Sequence, residues 1–114
     1  MTDLDFEQKF RHIITKIAEV GELYAEAKGQ SWQLQELKGT VLSKIIREQG
    51  EIPTSKAEII AKASPDYEKY IQETGEAIKK ELRFKAEYEM WKASFEALRS
   101  LSSLEKSTRN QIGG

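Results

Sequence analysis

Acid–base and nucleophilic chemistry near neutral pH starts from residues that can exchange a proton there, and this sequence has one histidine, His12. With no second histidine and no cysteine in 114 residues, His-paired nucleophiles, multi-histidine metal sites and thiolate sites are excluded. His12 stands beside Ile13 at the edge of an apolar stripe, so a structural or solvated role is expected for it. Glu19, Glu22 and Glu26 share one helical face, and clustered carboxylates suit a hard cation. A carboxylate-bridged dimetal bundle, however, uses a Glu-x-x-His on facing helices. No such motif occurs here, so the three glutamates read as a solvated face. Ser43, Ser94 and Ser100 have no partner base, and there is no glycine-rich phosphate loop. The expectation is a protein that is not an enzyme, with no catalytic residue, no metal site and no cofactor.

One stretch has a different potential. In "FKAEYEMWKASFEALRS", Phe84 to Ser100, Lys85, Lys92 and Arg99 recur every seven residues, and Lys106 continues the series, with Arg109 beyond it. A basic stripe beside Tyr88, Trp91 and Phe95 could contact phosphates while the rings stack on unpaired bases. Glu89 and Glu96 fall on the same face, however. They place Lys85 against Glu89 and Lys92 against Glu96 at i,i+4, and Glu89 against Lys92 and Glu96 against Arg99 at i,i+3. An ion-pair ladder of about 0.2–0.5 kcal/mol per step is the usual flank of a helix seam, and it is the favoured reading of these cations. The net charge of −1 and pI near 5.9 add no global attraction to nucleic acid.

The elements that position these residues are read as helices throughout. Apolar residues make up 39% and charged residues 32%, with two prolines and seven glycines, which suits long helices or coiled coils and gives no strand pattern. A chain of this length fits one domain, 1–114, with one core. Phe6, Phe10, Ile13, Ile17, Val20, Tyr24 and Ala27 are spaced 4-3-4-3-4-3, the period of a coiled-coil seam. Thr2 and Asp5 offer a capping box, so a first helix is expected over 3–28, stopped by Gly29. A second is expected over 31–49, capped by Ser31 and carrying Leu34, Leu37, Val41, Leu42, Ile45 and Ile46. The short connection predicts that these two helices form an antiparallel hairpin. Ser55 and Glu58 suggest a box for a short helix over 56–63 that brings Ile59 and Ile60 to the core.

Ser64-Pro65 then breaks the chain and opens a last helix over 65–110. Its first half shows Tyr67, Ile71, Thr74, Ile78 and Leu82, and its second half Phe84, Tyr88, Trp91, Phe95 and Leu98, rotated by roughly 80° at 100° per residue. The first half is expected to pack on the hairpin. The second is left for another surface, most simply a second copy in a homodimer, unless Gly75 bends the helix back on itself. Phe84, Tyr88, Trp91, Phe95 and Leu98 are thus the expected partner or dimer interface. Lys85, Lys92, Arg99, Lys106 and Arg109 are the candidate nucleic-acid contacts. No apolar run approaches the roughly 20 residues that span a bilayer, and "MTDLDFEQ" is no signal peptide, so a cytoplasmic protein without membrane contact is expected.

Taken together, "LKGTVLSKII" (Leu37 to Ile46), "SPDYEKYI" (Ser64 to Ile71) and "FEALRSLSSLEKSTR" (Phe95 to Arg109) resemble short helical proteins of phages and prophages encoded near recombination or single-strand annealing functions. The similarity covers roughly residues 20–109 and departs at Leu98, where a tryptophan is expected. The resemblance implies an accessory role in phage DNA metabolism, with a recombination or host DNA-processing protein as partner, and supplies no active residue. Direct single-strand nucleic-acid binding and a purely structural coiled-coil subunit are the alternatives.

Overall fold

The computed structural model describes residues 2–113, and it is all-α. Its helices are α1 (Asp3–Glu36), α2 (Lys38–Glu48), α3 (Thr54–Lys62) and α4 (Pro65–Gly113). At the start of α1 the Asp5 N–H donates to the Thr2 hydroxyl oxygen at 3.2 Å, and the Thr2 N–H donates to the Asp5 carboxylate at 3.2 Å. This is the reciprocal cap the sequence suggests. The Thr2 hydroxyl, donating to the Asp5 carboxylate at 2.8 Å, and with it the Thr2 N–H hold that carboxyl below its ordinary range. The break before α4 is also as expected. The Ser64 hydroxyl accepts the Tyr67 N–H at 3.2 Å while donating to the Ala61 carbonyl at 2.6 Å, and Pro65 occupies the first helical position.

Two other expected caps do not form. Ser31 is fully buried inside α1, its hydroxyl accepting the Gln35 side-chain amide at 2.9 Å, so α1 runs straight on past Gly29. The chain fails to stop there because the 4-3 spacing continues from Ala27 through Ser31 to Leu34, and packing outweighs the roughly 1 kcal/mol cost of a mid-helix glycine. α3 starts after Pro53 with no side-chain cap, and Glu58 pairs with Lys62 at 3.0 Å rather than reaching back to Ser55. Ala57 and Ala61, four apart, face the core of this helix, which leaves Ile59 and Ile60 exposed.

The joint between α1 and α2 is a single residue. Leu37 keeps helical angles, φ −79° and ψ −3°, its N–H donates to the Gln33 carbonyl, and its own carbonyl accepts the Val41 N–H. A residue in that conformation cannot reverse the chain, so α1 and α2 do not form the expected antiparallel hairpin. At the joint the carbonyl of Leu34 accepts the hydroxyl of Tyr70 of α4. The reversal comes later, at Gly50, whose φ of +79° lies in the left-handed region that glycine adopts without steric cost.

The chain gathers into two compact units. In the first, α1 up to Tyr24 packs with α4 from Arg83 onward. Phe6, Ile13 and Leu98 are buried here with Phe10, Ile17, Trp91 and Phe95 against them. Phe10 meets Phe95 edge-on at 5.5 Å, His12 meets Trp91 at 5.6 Å, and Tyr24 meets Tyr88 at 5.9 Å. The partners' numbers rise on one helix as they fall on the other, so the pairing is antiparallel. The helices come close at Gly21, where a side-chain carbon would sit 3.1 Å from the Tyr88 ring. The second unit, Ala25–Leu82, buries Ile45, Ala61, Tyr67 and Tyr70, with Leu34, Val41, Leu42 and Ile46 packed on them.

α4 carries one seam register, not two. Buried or half-buried positions fall at Tyr67, Tyr70, Thr74, Ala77, Glu81, Phe84, Tyr88, Trp91, Phe95 and Leu98, spaced 3-4 throughout. The expected rotation came from following Ile71 and Leu82, which are exposed on the flank, while small and polar residues hold the seam. α4 also passes through Gly75 without a break. At Gly29 and Gly75 an added methyl would meet nothing within 4 Å, and neither has positive φ. Gly29→Ala and Gly75→Ala should therefore each raise stability by about 0.5–1 kcal/mol, read as a higher urea midpoint at unchanged slope.

Candidate interaction face

The residues expected to meet a partner turn inward. Leu98 is buried, and Phe84, Tyr88, Trp91 and Phe95 are half-buried, with the Tyr88, Trp91 and Phe95 rings against α1 of the same chain. The seam expected to remain for a second copy is thus occupied by the protein's own first helix. The physical reason is that α1 supplies the matching 4-3 stripe in antiparallel sense. Burial against a tethered helix needs no association entropy. With their rings engaged, Tyr88, Trp91 and Phe95 are not presented for stacking on bases.

The cations divide differently from the expected ladder. Of its steps, the one formed among the described residues is Arg99 to Glu96 at 2.7 Å. Lys92 lies over the Tyr88 ring at 5.2 Å. Arg109 reaches across to Asp3 of α1 at 2.9 Å, and this hydrogen bond, reinforced by its charge and that of Lys106, holds the Asp3 carboxyl below its ordinary range. Both partners are exposed. A contact spanning 106 residues leaves no mark in local spacing. Lys85 and Lys106 are exposed on α4. Among the described residues no three His, Cys, Asp or Glu side chains are placed to hold a metal ion, so Glu19, Glu22 and Glu26 do not converge.

A second face of α4 has no counterpart in the expectations. Ala86, Met90, Ala93, Ala97, Leu101 and Leu104 recur at 4-3-4-4-3 spacing, about 140° around the helix from the seam. All six are exposed, Met90 at 52%, Leu101 at 56% and Leu104 at 64%. None of the nine charged side chains between Phe84 and Arg109 falls within about 75° of this strip's midline. The signal is present in the sequence as an avoidance of charge, which a search for large apolar residues overlooks because alanines supply half the strip. Beside it lies a groove of about 940 Å³, lined by Asp5, Gln8, Lys9, His12 and Ile13 of α1 and by Ser94, Ala97, Leu98 and Leu101 of α4. The Trp91 indole N–H, beneath the His12 ring contact, is buried without a hydrogen-bond partner.

Fold and site together define an all-α, coiled-coil-like protein whose long helices pair antiparallel through 4-3 seams and which keeps a neutral helix face exposed. No helix among the described residues is long and apolar enough to cross a membrane. Comparison with protein-family models, curated proteins and solved structures finds no match to this chain.

Proposed function

We propose that this is a non-enzymatic accessory protein that works by helix-to-helix contact with protein, in a phage-type setting of DNA recombination or host DNA processing within the host cytoplasm. The observation that carries the binding reading is the neutral, exposed face of α4 from Ala86 to Leu104, on a chain in which 32% of residues are charged. Isolated exposed apolar side chains are ordinary, but a contiguous apolar face rimmed by charge marks an interaction surface. The DNA-related setting rests on the resemblance of residues 20–109 to the phage and prophage proteins. The lone histidine, His12, meets the Trp91 ring edge-on.

The test compares what the immobilised chain and its Met90→Glu variant retain from host lysate. The expected result is retention of a recombination or DNA-processing protein by the unaltered chain and its loss from the variant, which stays folded because Met90 is exposed. Binding of single-stranded DNA by the purified protein at low salt, falling steeply as salt rises, would instead favour direct nucleic-acid contact through Lys85, Lys92, Arg99, Lys106 and Arg109.

A further inference from the structure

We propose that the outer face of α2 is a contact surface for the phosphate backbone of double-stranded DNA. It lies apart from the α4 face and goes beyond the protein-contact reading, on which it does not depend. Charge distribution supplies the first argument. The two longest stretches of the chain without Asp or Glu are 8–18 and 37–47. In the first, Arg11 is held by Glu7 and Lys16 by Glu19. In the second, which makes up most of α2, Lys38, Lys44 and Arg47 are exposed and form no ion pair among the described residues, not even Lys44 with Glu48 four residues on. Between Leu37 and Ser64 five Lys and Arg outnumber three Glu, in a chain whose net charge is −1.

Helical geometry gathers these groups. Thr40, Ser43, Lys44 and Arg47 fall within about 100° of one another around α2. They occupy the side away from Val41, Leu42, Ile45 and Ile46, which pack into the core, and all four are exposed. The hydroxyls are unused. Thr15, Thr74 and Thr108, inside the longer helices, each turn the hydroxyl back to donate to the carbonyl four residues earlier. Those of Thr40 and Ser43 make no hydrogen bond among the described residues. The stripe therefore offers two cations and two free hydroxyl donors at i, i+3, i+4 and i+7. Phosphate oxygens accept only, and Lys, Arg, Ser and Thr are the side chains that bind them.

The make-up of the stripe selects the polyanion. It holds no aromatic ring, whereas binding to single strands relies on rings that stack on unpaired bases. It holds no apolar side chain to enter a lipid surface. A duplex presents its phosphates on the outside, where a helical stripe about 10 Å long can meet them without touching a base. α2 is held firmly for this, because Ile45 behind the stripe is buried with Ala61, Tyr67 and Tyr70. Contact through two cations gives weak binding that does not depend on sequence. It suits a protein that sits beside DNA together with a partner rather than one that holds a site alone.

The experiment is fluorescence anisotropy of a labelled DNA duplex of mixed sequence, titrated with the full chain. Two phosphate contacts predict an affinity that falls about tenfold between 50 and 200 mM salt. Lys44→Ala with Arg47→Ala should weaken binding at least about tenfold at the lower salt and flatten its salt dependence, since both counterion-releasing contacts are gone. Thr40→Ala with Ser43→Ala should weaken it by less, about threefold, and leave the salt dependence as it was, because a hydroxyl releases no counterion. All four side chains are exposed, so the variants keep their helical circular dichroism. Binding of a single strand, of phosphatidylserine vesicles or of poly-glutamate as tight as that of the duplex would overturn the choice of ligand. Affinity kept by the Lys44 and Arg47 variant, or lost only with Lys92→Ala and Arg99→Ala, would overturn the place on α2. If no duplex is bound at 50 mM salt, this inference fails, while the functional reading stands or falls separately on what Met90→Glu retains from lysate.

Discussion

Truncating Leu98 to alanine is expected to cost about 2–5 kcal/mol of stability, the range for a buried leucine whose site cannot collapse. Leu98 is 7% exposed and clusters with Phe6 and Ile13 of α1, flanked by Phe95 and Trp91, so its removal leaves a void between two helices. Leu104→Ala, six residues on in the same helix, should change stability by less than about 0.5 kcal/mol, because an exposed side chain loses little burial. The check is a pair of urea transitions followed by circular dichroism at a concentration that keeps the protein in one association state. Equal effects at the two positions would mean that α4 does not use Leu98 to hold α1. The comparison separates a seam used within the chain from a face left exposed.

Tyr70→Phe is expected to cost about 0.5–1.5 kcal/mol, the net worth of a hydrogen bond to a partly buried acceptor. The Tyr70 hydroxyl reaches the carbonyl of Leu34, one turn before the joint at Leu37, where the helical ladder is interrupted. Phenylalanine keeps the ring packed on Ile45, Ala61 and Tyr67 and removes the donor alone. Amide exchange gives an independent readout. The Lys38 N–H, which would complete the ladder to Leu34, should exchange quickly in the unaltered protein and become protected in the variant if α1 and α2 fuse into one helix. Unchanged stability and unchanged exchange together would show that Tyr70 does not set the joint.

Much of the architecture was legible because it is local. The 4-3 spacing from Phe6 to Ala27 marks the inward face of α1, the Thr2 and Asp5 pair marks its start, and Ser64-Pro65 marks the start of α4. The errors share a cause, which is trust in punctuation and in large apolar residues over register. Gly29 looks like a stop, yet the same spacing runs on through Ser31 and Leu34, and the helix follows the spacing. Ile71 and Leu82 look like seam, yet Thr74, Ala77 and Glu81 keep the 3-4 count that leads into Phe84. Following register through small and polar positions would have found both. It would also have shown the charge-free face of α4, for which a stripe of alanines gives little hydrophobic signal.

The sequence by itself determined that this protein is helical, where α1 and α4 begin, and which stripe of each helix must be covered, because caps, proline and apolar period act over a few residues. Only the tertiary structure decided what covers those stripes. A seam of Phe84, Tyr88, Trp91, Phe95 and Leu98 has the same pattern whether it meets a second copy or a helix from its own chain. The choice depends on contacts such as Phe10 with Phe95 and Asp3 with Arg109, which join residues far apart in the chain. Once that seam is filled from within, the face left exposed on α4 is of another kind, small, neutral and bordered by glutamate.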